Sequence, residues 1–165
     1  MNRSNNEPSN EPLSQEDEDI CKKHFYIEVD KELHQKGHTA MPLKAAAIEI
    51  RLTAVRTYIQ TPSITAAAVK RATGIPQAEK YINKYDVVSI PDQPERLVFR
   101  EKVGTALTDY KVVSSYEECY DVLSKVHDFG HVKRSTFHGK MELQFGKSIS
   151  LWLCLQFVAV CPKCV

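Results

Sequence analysis

Four side chains near the carboxy terminus have the types and spacing of a metal site. His127 and His131 stand four positions apart, twenty-nine residues separate His131 from Cys161, and two residues separate Cys161 from Cys164. Zinc prefers four nitrogen and sulfur donors arranged as a tetrahedron. A Cys-x2-Cys knuckle turns two thiolates toward one point, and Pro162 helps to fix that turn. Two histidines at the end of one helix and the break after it can present imidazoles to the same ion. Taken alone, Cys161-Pro-Lys-Cys164 would suit a redox pair equally well, but the strand–helix context of such a pair is missing. The conjunction with His-x3-His points to one Zn2+ held by His127, His131, Cys161 and Cys164.

Three helices must position these ligands. Ser115 with Glu118 three residues on forms a capping box, which predicts a helix from Tyr116 to about His127, broken by Gly130. A second helix is predicted over Lys133 to Phe145, with Phe137, Met141 and Phe145 at i, i+4 and i+8, and Gly146 as its end. The last begins near Ser148 and stops before Pro162. Its apolar run from Ile149 to Cys161 is thirteen residues long, short of the roughly 17–25 that cross a bilayer as a helix, so it reads as buried rather than membrane-spanning. A unit this small has little core of its own, and the ion is expected to supply much of its folding free energy.

Upstream, residues 1–19 are rich in Asn, Ser, Glu and Pro and read as an acidic tail without a fixed fold. Residues 20–36 are ambiguous: Ile20, His24 and Ile27 fit a helix face, Phe25, Ile27 and Val29 alternate as a strand would, and Ser14 with Asp17 favours a helix start. Pro42 opens a helix to about Gln60, with Leu43, Ala47, Ile50, Ala54 and Tyr58 near one face and Leu52, Val55 and Ile59 widening it. Two shorter helices follow, Ile64 to Ala72 and Gln77 to about Lys84, around the Gly74-Ile75-Pro76 break. The runs at Val87–Ile90, Leu97–Phe99 and Tyr110–Val113 are β-rich. The fold expected is mainly α with a small β element: a helical region over 20–85, then short strands and a three-helix zinc-binding module over 86–165.

The runs KYDVVSIPDQPERLVF, DYKVVSSYEECYDVLSKVHDFGHVKRSTFHGKMELQF and VCPKCV resemble the zinc-binding domain at the amino-terminal side of retroviral, retrotransposon and gypsy-type integrases. They also resemble transposon-derived host proteins of the KRAB-A-domain-containing protein 2-like and SCAN-domain-containing protein 3-like group. The resemblance spans about residues 84–165, with the four ligand positions its most specific part. Val132-Lys133-Arg134 stands where these relatives carry glycines, while Thr136 is retained. In that family a catalytic core with three metal-binding carboxylates follows the zinc domain. The sequence given stops one residue after Cys164, so the resemblance implies an accessory module without catalysis, or else the truncated product of a full integrase. Asp109, Glu117, Glu118 and Asp121 read as a solvated helix face and its cap.

Charge and cysteine usage bound the partners. Residues 1–19 carry six acids and one base, so the overall +1 leaves +6 on residues 20–165. That mild basic balance is compatible with weak, non-specific DNA contact, for which Lys133, Arg134 and Lys140 are the candidates beside the histidines. A zinc-stabilised protein-interaction or self-association module is the alternative. The helix pair at Ile64 to Lys84 also has the outline of a helix-turn-helix, with Lys70, Arg71 and Lys80 available to phosphates. Five cysteines without a secretory start predict a reducing compartment, nucleus or cytosol, rather than secretion. Cys21 and His24 have ligand-like spacing but no second pair near them in sequence. Cys119 and Cys154 read as core, and His138 as surface.

Overall fold

A computed structural model describes residues 12–36, 41–100, 110–127, 134–162 and Cys164. Among these residues the chain is mainly helical with one small antiparallel sheet: α1 (Gln15–Lys36), α2 (Ala45–Gln60), α3 (Ala66–Thr73), α4 (Ala78–Lys84), β1 (Tyr85–Val88), β2 (Arg96–Phe99), α5 (Cys119–His127), α6 (Arg134–Phe145) and α7 (Leu151–Val160). A single 3-10 turn, Gly146–Ser148, joins the last two helices.

The ambiguous stretch after residue 20 is helical, and the helix starts earlier than the tail boundary expected at 19. Ser14 Oγ accepts a bond from the Asp17 amide at 3.2 Å, and Glu16, Asp17 and Glu18 sit in the first turn, where acidic groups meet the positive end of the helix dipole. Phe25 and Val29, four apart on one face, are fully buried, whereas Ile27 is 51% exposed, so the strand-like alternation is incidental. The face they cover is that of the carboxy-terminal helices: α1 packs chiefly on α7. Lys22 pairs with Asp121 at 3.0 Å, and the Tyr26 hydroxyl donates toward the Tyr116 and Glu117 carbonyls, 3.0 Å from each. By packing, α1 therefore lies with the carboxy-terminal helices.

The remaining amino-terminal helices surround α2. Its buried side chains are Leu52, Ala54 and Val55, while Ile50, Tyr58 and Ile59 are exposed. This corrects the expected stripe. The helix is wedged between two small clusters instead of lying on one core: Leu52 and Val55 meet Tyr85, Leu97 and Val113, and Ala54 meets Val69, Ala78 and Ile82. An alanine at the second contact lets α3 and α4 close on α2. Thr65 caps α3 through the Ala68 amide. Gly74 ends it at φ 70°, a left-handed conformation that costs glycine least.

The strands pair Tyr85 with Phe99 and Val88 with Arg96. The third β-rich run contributes only the bridge from Val112 to Val98. From there the chain is pinned to the carboxy-terminal helices, with the Val112 amide donating to the Gln144 carbonyl at 2.9 Å and the Ser114 amide to Ser148 Oγ at 3.2 Å. Those helices share one core in which Leu123, Phe137, Met141, Leu153 and Cys154 are at most 1% exposed.

Candidate metal centre

The capping box read from the sequence is formed. The Glu118 amide donates to Ser115 Oγ at 3.2 Å and the Ser115 amide to Glu118 Oε1 at 3.0 Å. The same carboxylate receives both terminal nitrogens of Arg96, at 2.7 and 3.2 Å. Its neighbour Glu117 accepts the Ala45 amide at 2.7 Å and so caps α2 from a distant part of the chain. These contacts fix the start of α5, and nine residues later the helix delivers His127 as its last residue.

His127 is 1% exposed. Its imidazole lies against the rings of Phe137 and Phe157, with centroids 5.0 and 5.2 Å away, so aromatic faces from α6 and α7 set its plane. The outward nitrogen, Nε2, stands 3.1 Å from Cys164 Sγ. Cys161 closes α7, its amide donating to the Phe157 carbonyl, and the Cys164 amide donates back to the Cys161 carbonyl at 3.0 Å. That tight turn is the knuckle expected from Cys-x2-Cys. It keeps Cys161 buried and leaves Cys164 at the surface with its thiol turned inward.

Donor atoms of His127, Cys161 and Cys164 thus lie within 4.8 Å of one another. Around a tetrahedral zinc, with Zn–N near 2.0–2.1 Å and Zn–S near 2.3 Å, neighbouring donors fall roughly 3.5–3.8 Å apart. The observed spacing brackets that range, and one nitrogen with two sulfurs is a donor set zinc accepts, so these residues fit the ion. Burial pushes the Cys164 thiol up to about 11, reinforced by the hydrogen bond and charge of Cys161. A cation at this point would reverse that preference, because it favours the thiolate.

Other positions singled out by sequence divide clearly. His131 and Lys133 lie outside the described residues. Arg134 opens α6, and Lys140 is exposed further along the same helix. Cys119 and Cys154 are buried in the carboxy-terminal core, and neither is among the converging donors, so both read as core positions. Cys21 holds a surprise. Set aside for want of a partner nearby in sequence, it is half-buried against the carboxy-terminal core, and after burial the next cause raising its thiol is the neighbouring Cys161. Its sulfur is not among the converging donors. No local signal could have found this proximity, since it depends on α1 folding back onto α7. Among the described residues no helix is long and apolar enough to cross a membrane.

No protein-family model, no curated protein and no solved structure matches this chain.

Proposed function

We propose that α5, α6 and α7 form an integrase-type module held by one structural zinc ion, with His127, Cys161 and Cys164 as ligands and His131 as the fourth. The observation carrying this reading is the convergence of three soft donors from two chain regions, 34 positions apart between His127 and Cys161. Surface chemistry alone does not bring a buried imidazole and two thiols together. Four protein ligands would leave the ion no open position for substrate, which favours a structural over a catalytic role. What the ion supplies is a cross-link between the end of α5 and the end of α7.

The residues themselves do the rest. Phe137 and Phe157 orient the His127 ring, and the turn at Pro162 aligns the two sulfurs. The module's task is then recognition: weak, sequence-tolerant contact with DNA phosphates through Lys133, Arg134 and Lys140. From His127 onward, five bases stand against two acids, a balance of +3, so only a few phosphates can be neutralised and a log–log salt slope of about −2 to −3 is expected.

Elemental analysis tests the metal. Protein purified without chelator should hold close to one equivalent of zinc, retained in Cys21→Ser and lost in the Cys161→Ser, Cys164→Ser double variant. Full retention in the double variant would reject the site. Fluorescence anisotropy on several unrelated duplexes at two salt concentrations tests the DNA contact. Absence of binding at about 50 mM salt, where phosphate contacts are strongest, would leave protein recognition as the role.

A further inference from the structure

Beside the module, and separate from the metal ligands, an open groove of about 710 Å³ lies between α5, α6 and the β1–β2 hairpin. Its size falls in the range of roughly 300–1,000 Å³ usual for binding sites. Val112, Val122, Val126 and Phe145 make its walls largely apolar. Its charged lining residues are Arg96, Lys125 and Lys140, and none of the described lining residues is a carboxylate. Arg96 is neutralised by Glu118. Lys125 and Lys140 make no ion pair among the described residues, so two ammonium groups are left at the edge of an apolar trough.

We propose that this groove docks an acidic amphipathic helix of a partner protein. The lining pattern carries the choice of occupant. Val122, Lys125 and Val126 fall at i, i+3 and i+4 on α5, and Lys140 and Gln144 at i and i+4 on α6, so each helix offers one face along about one turn. A trough walled by two helix faces accepts a third helix that inserts one or two apolar side chains and lays carboxylates on the flanking lysines. A phosphate backbone would meet the same lysines but has nothing to place on the valines and Phe145. A small apolar anion would leave much of its own surface wet, because the groove is partly open. Lys140 is shared with the proposed phosphate contacts, so the partner helix and DNA compete for it. The docking surface does not depend on which metal holds α5 to α7.

The test is anisotropy of labelled twelve-residue peptides on the zinc-loaded full chain. One peptide carries leucines at i, i+3, i+4 and i+7 with glutamates elsewhere. A second keeps the glutamates and replaces each leucine by serine, and a third keeps the leucines and replaces each glutamate by lysine. The first should bind in the micromolar range and the other two at least tenfold more weakly. Lys125→Glu with Lys140→Glu should lower its affinity at least tenfold, with zinc content and far-UV circular dichroism unchanged. The milder Lys125→Gln, Lys140→Gln pair should show a smaller loss in the same direction. Equal binding of the serine peptide would mean that charge alone is read. That result, unaltered affinity in both lysine variants, or no binding of the first peptide at all, would overturn the proposal.

Discussion

At the residue scale, the proposed site depends on one thiol, that of Cys164, which its surroundings favour in the protonated form. Burial and the Cys161 neighbour hold the Cys164 thiol at about 11, so near neutral pH a bound zinc would have to displace its proton. The sign follows directly: as pH falls below 11, each unit makes that displacement tenfold harder, and zinc affinity weakens with acid. Competition with a chromophoric chelator should therefore show the dissociation constant rising at least tenfold per unit between pH 8 and pH 6. A flat profile would mean that Cys164 is not a ligand. The grouping of His127 with Cys161 and Cys164 was legible in the sequence because Cys-x2-Cys is a local pattern whose geometry is fixed by one turn of chain. The orientation of His127 by Phe137 and Phe157 was not, since those rings arrive from two other helices.

Caps and breakers dominate at the scale of elements. Ser14 and Asp17, Ser115 and Glu118, and Gly74 each mark an element end by contacts within four residues, and each is formed as the sequence implies. The buried face of α2 is narrower than the expected one, which held Leu52, Ala54 and Val55 but also Ile50, Tyr58 and Ile59. Its apolar positions run round much of the helix, and only the placement of α4 and the hairpin decides that Leu52, Ala54 and Val55 go inward. Glu118 joins local and distant contacts: it completes the α5 cap and pairs with Arg96, each side chain about one-third exposed. Glu118→Ala should cost about 1–3 kcal/mol, combining a lost cap of about 1 kcal/mol with a charge-assisted pair of modest worth. Urea denaturation of the zinc-loaded protein measures it, and Glu118→Gln should recover part of the cap but not the ion pair. Gly146 marks another limit of sequence reading. It ends α6 as expected, at φ 54°, but a Cβ there would also meet the Phe99 ring at 3.2 Å. Gly146→Ala is thus expected to loosen the hairpin as well as the turn, seen as lost protection at Val98 and Val112.

For the whole molecule, the boundary drawn from sequence near residue 85 and the packing disagree over α1. A hydrophobic pattern shows that a helix has an apolar face but not what covers it. Phe25 and Val29 lie in the core of α5 to α7, Lys22 pairs with Asp121 on α5, and Tyr26 bonds the backbone just before it. Metal removal should accordingly loosen α1 together with α5, α6 and α7, while α2 to α4 keep their protection around Ala54, Val69 and Ile82. Hydrogen exchange with and without chelator reports this helix by helix, and an α1 that stays protected with α2 would contradict the packing.

The proposed site places one zinc ion between His127, Cys161 and Cys164, with a second imidazole completing its shell. X-ray absorption at the zinc edge of the loaded protein measures that shell directly. Two sulfurs near 2.3 Å and two nitrogens near 2.0–2.1 Å are expected, falling to one sulfur in Cys161→Ser. A shell of nitrogen and oxygen alone, or one unchanged by Cys161→Ser, would contradict it.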